Sequence, residues 1–279
     1  MKRGLRAAGS ILMFLFCLLW LSPIYIVFVN SFKNRAEMYQ NILAFPKTWS
    51  FQYYVKAMQK MKLESAFKNS LLVTVGSIFF IVILASMTAW MITRRRNKMS
   101  KFLYSVFVAT MLIPFQTVMM PLLQELAFFR DHLGINMLDQ LWGLGFTYIG
   151  FGASMAVFLY SGFVNTIPVS LEEAATIDGA TTFRVFWSVV FPLLKPTTMT
   201  VIVLDVIWIW NDYLLPSLIL SSKAKRTVPL STAYFFGQFT IQWNMAMAGL
   251  MMTIIPVILF YIFAQKYIVK GVAAGAVKG

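Results

Sequence analysis

The sequence predicts an all-α integral membrane protein with six transmembrane helices and a cytoplasmic loop between helices 4 and 5. Two observations support this prediction. Charged residues make up only 12% of the 279 positions and hydrophobic residues 59%, and the mean hydropathy is +0.72. The apolar residues also collect in long stretches, each able to cross a bilayer core of roughly 30 Å, which takes about 20 helical residues. The whole chain, 1–279, is interpreted as one transmembrane domain.

The predicted spans are uniformly apolar, and five of the six contain no charged residue. In lipid, each backbone N–H and C=O must be satisfied within its segment, so these stretches are predicted to be helices. Pro114, Pro121 and Pro256 lie inside spans and predict kinks. The first span lacks a small-residue cleavage site after it, so it is interpreted as a retained anchor. The spans are approximately 11–29, 71–93, 102–123, 141–164, 199–220 and 245–265.

Basic residues predict the orientation of the spans. They crowd the short link between the second and third spans, which places that link in the cytoplasm. Six spans then put both termini in the cytoplasm of a prokaryotic cell. The long first outer loop, 30–70, and the link between spans five and six also carry cations and fit this rule less well. The cations concerned are Arg94, Arg95, Arg96, Lys98 and Lys101 in the short link, Lys2, Arg3 and Arg6 at the N-terminus, Lys266, Lys270 and Lys278 at the C-terminus, and Lys223, Lys225 and Arg226 before span six.

The composition argues against several other classes of protein. The net charge of +14 is spread between apolar runs without a nucleic-acid-reading pattern, so membrane lipid is the expected partner and nucleic acid is not. The single cysteine, Cys17, permits no internal disulfide, and the single histidine, His132, leaves little material for a metal cluster or a histidine triad. No metal or cofactor is expected on this chain. It also lacks a Gly-rich phosphate loop, so it is not expected to hydrolyse ATP or to be an enzyme.

The loop predicted at 165–196 has an interpretable local pattern. Ser170 and Glu173 have the spacing of a capping box, which predicts a short helix with its start there. Gly179 permits the left-handed turn that ends such a helix. A second helical piece, from about 181 to 190, carries an apolar stripe at spacings of three and four. The pattern predicts a helix-glycine-helix elbow with exposed acids. The stripe consists of Phe183, Phe186, Trp187 and Val190.

This loop resembles the EAA loop in permease subunits of binding-protein-dependent ABC importers. The match consists of the Glu-Ala-Ala triplet, a following glycine and a later Phe-Pro pair, although Phe191 and Val189 replace the usual leucine and isoleucine. In that family the elbow is a coupling helix that sits in a cleft of an ATP-binding subunit. Two plainer interpretations stay open: the loop residues only start and stop helices, and Arg184 only pairs within its own helix. The resemblance implies that the coupling residues are Glu172, Glu173, Ala174, Ala175, Asp178, Gly179, Arg184 and Pro192.

Weaker similarities indicate the carbohydrate branch of these importers, the group related to maltose and multiple-sugar permeases. They are the segment 208–213, which reads WIWNDY, the proline-containing third span, and the tail 270–279. The resemblance implies a second permease subunit, two ATP-binding subunits that carry the ATP and magnesium, and an extracytoplasmic sugar-binding protein. It also permits contact between the tail and the ATP-binding subunits.

Two acids are the only charged residues within the predicted spans. Asp205 and Asp212, with Trp208 between them, are spaced by three and four on one predicted helix face. Carboxylates beside an aromatic ring suit a sugar, so Asp205, Trp208, Asn211 and Asp212 are candidates for the substrate path. Two alternatives stay open. In one, the polar residues only bond to neighbouring helices; in the other, the chain is an ion-coupled secondary transporter in which either acid binds a proton or sodium ion.

Overall fold

A computed structural model describes residues 2–237 and 241–276, with side-chain surroundings for 9–237 and 241–265. Within these ranges the chain is almost entirely helical, with one isolated bridge between Phe236 and Ile241. The terminal cations Lys2, Arg3, Arg6, Lys266, Lys270 and Lys278, and the tail 270–279 named for its family resemblance, lie outside the side chains described. The helices are α1 (Lys2–Asn30), α2 (Arg35–Gln40), α3 (Gln52–Met61), α4 (Leu63–Arg95), α5 (Lys98–Met111), α6 (Phe115–Leu133), α7 (Leu141–Val164), α8 (Ser170–Ile177), α9 (Thr182–Val185), a π-helical turn (Phe186–Val190), α10 (Phe191–Leu193), α11 (Lys195–Asn211), α12 (Leu214–Ile219), α13 (Val228–Thr232) and α14 (Trp243–Ala276).

Four of the six predicted spans are single helices. α1, α4, α7 and α14 each contain a segment long and apolar enough to cross a membrane. α7 covers the predicted 141–164, whereas α4 and α14 extend beyond their predicted ends. Pro256 lies inside α14, which continues through it. The prediction of an all-α membrane protein is therefore confirmed.

The third predicted span, 102–123, is wrong as one continuous helix. α5 and α6 are separated by a break at 112–114 and meet at an angle of 108°. Pro114 explains the break, because it has no N–H to donate and disfavours helical backbone in the residue before it. The kink predicted at Pro114 is thus a helix end, whereas α6 continues through Pro121.

The fifth predicted span, 199–220, is also broken. α11 ends at Asn211, and Asp212 adopts an extended backbone. Asp212 Oδ1 then accepts a hydrogen bond from the Leu214 N–H at 2.9 Å near the start of α12. Before α11, the segment Thr182–Leu193 meets it at 74°. When each bent pair is counted as one span, the described residues provide six candidate spans, the number predicted.

Contacts divide the chain into two compact units, Met1–Glu64 with Leu230–Pro256 and Ser65–Pro229 with Val257–Gly279. In the second unit, α5, α11 and α12 pack against α7. α4 also approaches α7 closely, since a Cβ added to Gly152 would lie 2.6 Å from Ile81 Cδ1. Tyr148 and Tyr160 of α7 are fully buried. α7 is therefore the central helix of this unit.

In the first unit, the segment that follows α1 folds around a buried cation. Lys33 is fully buried, and its Nζ donates to the Asn41 carbonyl at 3.0 Å. The neighbouring Phe32 packs against Trp49, with ring centroids 4.9 Å apart. The predicted long outer loop therefore has its own packed interior between α1 and α3.

An acid, Asp139, connects the turn before α7 to the segment after α12. Its carboxylate accepts bonds from Ser222 Oγ at 2.5 Å and from the Ser221 and Ser222 N–H groups at 3.0 and 2.9 Å. Lys225 Nζ lies 3.5 Å away. The Ser222 hydroxyl contributes most, followed by the backbone N–H groups and Lys225, and together they hold the pKa of Asp139 well below its usual range.

We expect the stability of the protein to fall at acidic pH as Asp139 becomes protonated. Because its pKa is depressed in the folded state, the carboxylate stabilises the fold above the ordinary aspartate pKa of about 3.9, and this contribution is lost as the pH falls below that value. Asp139→Asn removes the charge without straining the backbone, because asparagine, like aspartate, tolerates the φ of +53° at this position. The variant should lower the free energy of unfolding at neutral pH by about 1–3 kcal/mol.

Thermal unfolding in detergent between neutral pH and about pH 3 measures this effect. The unfolding midpoint of the wild type should fall more steeply with pH than that of Asp139→Asn. Asp131→Asn is the control, because it removes an exposed ion pair with Arg130 and should shift the midpoint little. Equal slopes for the wild type and Asp139→Asn would contradict the prediction.

Candidate functional site

The first helix of the 165–196 loop begins differently from the prediction. Its N-cap is Val169, which makes no side-chain cap bond, and Ser170 is already helical. The Val169 carbonyl accepts bonds from the Glu172 and Glu173 N–H groups at 2.9 and 3.0 Å. The predicted capping box between Ser170 and Glu173 is therefore wrong, because the preceding backbone turn already supplies acceptors for the first amides of the helix.

A buried acid, Glu172, ties α8 to α4. Its Oε1 atom accepts bonds from Arg94 Nε at 2.9 Å and Nη2 at 2.7 Å, and its Oε2 atom accepts one from Trp90 Nε1 at 2.9 Å. Hydrogen bonds between charged partners are among the strongest in proteins. We call Glu172, Arg94 and Trp90 the clasp. The expectation that the acids of the elbow are exposed is wrong for Glu172, since only 8% of this residue is accessible.

Gly179 ends α8 in the left-handed turn predicted from the sequence. Its φ is +81°. The Gly179 N–H bonds to the Thr176 carbonyl and the Ala180 N–H to the Ala175 carbonyl, both at 3.0 Å, which is the Schellman arrangement of a helix end. A Cβ at this position would meet nothing within 4 Å. Backbone conformation, rather than space, therefore favours glycine here.

The second half of the elbow contains a wider helical turn. Thr181 is the N-cap of α9, and its Oγ1 accepts a bond from the Arg184 N–H at 3.4 Å. α9 continues directly into the π-helical turn. Phe186 and Val190 are buried, whereas Phe183 is 65% exposed. The predicted apolar stripe is thus split between a buried pair within the π-helical turn and an exposed phenylalanine in α9.

The outward surface of the elbow combines charged, small and apolar residues. Ile177 is 86% exposed at the end of α8. Ala175 is half-buried. Arg184 makes no ion pair with any described side chain, so the pairing within its helix that the sequence left open is not found there. An exposed apolar residue on a fixed helix can anchor an interface. We use the term elbow face for the exposed residues Glu173, Ala174, Ile177, Asp178, Gly179, Phe183, Arg184 and Pro192.

A cavity of about 820 Å³ lies among α5, α6, α7 and α11. Its wall is mostly apolar, but Asp205, Trp208 and Glu125 contribute to it, as do the hydroxyl-bearing residues Thr147 and Ser154. Asp205 is only 5% exposed, and its Oδ2 has no hydrogen-bond partner among the described residues. An unpaired buried polar atom is costly, so Asp205 has an oxygen available to a ligand.

The other two candidates for the substrate path lie outside this cavity wall. Asp212 Oδ2 accepts a bond from the Tyr148 hydroxyl at 2.9 Å, and the Asn211 side chain donates to a carbonyl of its own helix at 2.7 Å. The single helix face predicted for Asp205, Trp208 and Asp212 is wrong, because α11 ends before Asp212. Bonding to a neighbouring helix, the first alternative, describes Asp212.

Comparison with known proteins identifies a family. The family of binding-protein-dependent transport system inner membrane components matches residues 78–274, well over half of the chain. The chain belongs to this permease family. The resemblance inferred from the loop is thereby confirmed, and the permease is a multi-pass membrane protein whose role is transport rather than catalysis.

The permease also resembles individual proteins over nearly its whole length. It is 49% identical over 261 residues to the probable starch degradation products transport system permease protein AmyC of Thermoanaerobacterium thermosulfurigenes, covering 94% of this chain and 93% of that one. It is 33% identical over 258 residues to the melibiose/raffinose/stachyose import permease protein MelC of Bacillus subtilis, covering 92% and 91%. Its fold matches a chain of a bacterial ABC transporter involved in alginate import, with a TM-score of 0.78, 22% identity and coverage of 95% and 96%.

Glu125, Arg94 and Trp90 were not among the site residues predicted from the sequence of the permease. Glu125 lies just beyond the predicted third span, and no sequence motif around it predicts a position in a cavity wall. The sequence identifies Arg94 only as one of several orienting cations, and Trp90 only as part of an apolar span. Among residues 9–237 and 241–265, the structure brings together no group of three metal-ligating side chains of the His, Cys, Asp or Glu type.

Proposed function

We propose that this permease is a membrane-spanning subunit of an ATP-driven sugar importer and is driven through its 165–196 loop. The observation that carries the proposal is the anchored elbow, in which the clasp holds α8 and a bonded turn at Gly179 ends it. A fixed, protruding element can pass displacement between two proteins without a covalent link. Sugar as the cargo is supported by relatives named for starch degradation products and for melibiose, raffinose and stachyose.

On this proposal, the elbow face docks in a cleft of an ATP-binding subunit. Ile177 supplies an apolar anchor, and Glu173, Asp178 and Arg184 supply charged contacts around it. The small residues of the face allow close approach of the two proteins. Glu172 acts indirectly, because it holds α8 in place. ATP and magnesium bind to two ATP-binding subunits, and the permease holds no cofactor of its own.

We further propose that the loop and both termini face the cytoplasm of a prokaryotic cell. Arg94 at the end of α4 pairs with Glu172 at 2.7 Å, so the loop lies at the same end of α4 as the basic link to α5. Excess Lys and Arg in short links favours the cytoplasmic side. The basic link therefore supports a cytoplasmic position for the loop.

The cavity is proposed as part of the sugar path, which a second permease subunit completes and an extracytoplasmic sugar-binding protein supplies. Asp205 and Glu125 offer carboxylate oxygens to sugar hydroxyls, and Trp208 offers an aromatic face to a sugar ring. Asn211 and Asp212 contribute by fixing the end of α11. Asp205, Glu125 and Trp208 therefore contact the sugar directly. Asn211 and Asp212 are positioning residues.

Uptake in proteoliposomes tests the proposed function. With co-purified subunits and the sugar-binding protein, maltooligosaccharide or raffinose uptake should require ATP and survive collapse of proton and sodium gradients. Asp205→Asn should lower uptake roughly tenfold or more, because a carboxyl oxygen in the cavity wall is replaced by an amide nitrogen, whereas Asp131→Asn on the exposed end of α6 should not. Uptake that needs no ATP and disappears with the ion gradient would instead establish the ion-coupled secondary transporter.

A further inference from the structure

A second cavity, of about 540 Å³, lies where α4, α5 and α7 end or begin. It is separate from the proposed sugar path and shares no lining residue with it. Its wall is rich in polar groups, chiefly Thr93, Arg96, Ser100, Lys101, Tyr104 and Ser161. Cavities of this size hold small ligands or the head group of a larger one.

The charge of this cavity is entirely positive. Arg96 and Lys101 both contribute to the wall, and no acidic residue does. Neither cation makes an ion pair with a described side chain. The nearby Arg94 differs, since Glu172 neutralises it in the clasp. Two uncompensated cations in one concave site attract an anion.

A buried hydroxyl in the same wall also lacks a partner. Ser161 is 4% exposed, and its Oγ makes no hydrogen bond with the described residues. Thr93 and Ser100 are buried beside it, at 8% and 6% exposure. Hydroxyl donors next to Arg and Lys are the groups that bind phosphate oxygens. A ligand with a phosphate group would satisfy both the unpaired hydroxyl and the cations.

The surface of α5 next to the cavity is apolar and exposed. Met99 and Phe102 are 62% and 63% accessible, and Leu103 and Val106 are 41% and 42% accessible. Phe102, Leu103 and Val106 follow Lys101 along α5, whereas Met99 lies just before it at the start of the helix. Acyl chains can cover such a surface while a head group occupies the cavity beside it.

We propose that this cavity binds the phosphate head group of an anionic phospholipid, such as phosphatidylglycerol, from the leaflet on the side of the 165–196 loop. Arg96 and Lys101 pair with the phosphate, Ser161 donates to one of its oxygens, and the acyl chains lie along α5. The inference rests on the proposed function only for the identity of that leaflet as the cytoplasmic one. Basic sites between membrane helices on the cytoplasmic side suit such lipids.

Native mass spectrometry of the full-length chain in detergent tests this proposal, with short-chain phosphatidylglycerol, phosphatidylcholine and inorganic phosphate as separate probes. The wild type should retain phosphatidylglycerol in preference to phosphatidylcholine. The double variant Arg96→Gln with Lys101→Gln should bind it about 25-fold more weakly, at about fivefold for each cation. Ser161→Ala, a small change within α7, should weaken binding about fivefold.

The matched control is Arg95→Gln with Lys98→Gln. These two exposed cations belong to the same link but do not line the cavity, so binding should stay within about twofold of the wild type. Equal losses in the two double variants would overturn the site, because they would indicate general attraction to charge. If the protein binds inorganic phosphate but not phosphatidylglycerol, or binds neither probe, the proposal that the ligand is a phospholipid is overturned. The assay needs neither ATP nor a partner, so its failure leaves the uptake experiment intact.

Discussion

Replacement of Gly179 by valine should abolish uptake and the recruitment of ATP-binding subunits, while membrane insertion stays normal. A β-branched residue at the observed φ of +81° costs about 1–3 kcal/mol in backbone strain. The chain can relieve that strain only by leaving the left-handed turn, which breaks the two bonds that end α8. The elbow face would then lose its shape. Uptake in proteoliposomes and co-sedimentation of ATP-binding subunits with membranes measure the two effects.

Two control variants distinguish loss of the turn at Gly179 from a general effect of backbone strain. Gly179→Asn tolerates left-handed backbone and should restore most recruitment and uptake. Gly134→Val introduces the same residue at φ +67°, at the end of α6 and with no atom within 4 Å of the new Cβ, and should preserve both functions. Normal recruitment and uptake in Gly179→Val would contradict the proposal that the loop couples the permease to ATP-binding subunits.

Replacement of Glu172 by alanine should reduce uptake at least tenfold and destabilise the permease. The change leaves Arg94, whose side chain is only 16% exposed, without its carboxylate, and leaves the Trp90 N–H without its acceptor. Breaking a buried ion pair from one side costs about 3–5 kcal/mol, and the lower end applies here because water still reaches the arginine. Without the clasp, α8 loses its bonds to α4. Thermal unfolding in detergent and ATP-dependent uptake measure the outcome.

Glu173→Ala is the matched control for this variant. Glu173 is the next residue, is exposed, and makes no ion pair with a described side chain. Its removal should weaken recruitment of ATP-binding subunits without lowering the unfolding midpoint, whereas Glu172→Ala should lower the midpoint. Glu172→Gln retains oxygen and should be intermediate. An unchanged midpoint in Glu172→Ala would show that the clasp does not support α8.

The membrane helices were predictable because hydrocarbon imposes requirements that are visible residue by residue. The span 141–164 is the clearest case, since both of its ends agree with α7. The helix breaks were harder. Pro114 was recognised as a disturbance, but whether a proline bends or ends a membrane helix depends on what satisfies the freed backbone groups. Spacing also could not show that Asp212 leaves α11 and bonds to the start of the next helix.

The loop was predictable where its signals are local. Gly179 turns the backbone as expected, because that requirement arises within four or five residues. The capping box predicted at Ser170 was wrong, because the Val169 carbonyl already accepts bonds from the first N–H groups of α8. The spacing between a serine and a glutamate does not reveal such a backbone turn. The partners of Glu172 lie 78 and 82 residues away in sequence. Such a pairing arises from tertiary packing, so it cannot be predicted from the local patterns of a single sequence.

The loop is attached to three membrane helices by bonds of different kinds. Toward α7 the connection is the polypeptide before α8, and toward α11 it is the polypeptide through α9, the π-helical turn and α10. Toward α4 it is the Arg94–Glu172 ion pair together with the Trp90 hydrogen bond. α7 and α11 therefore stay attached at every displacement of the loop, whereas α4 stays attached only up to the force that separates the pair. The elbow is a branched linkage with two permanent arms and one releasable arm.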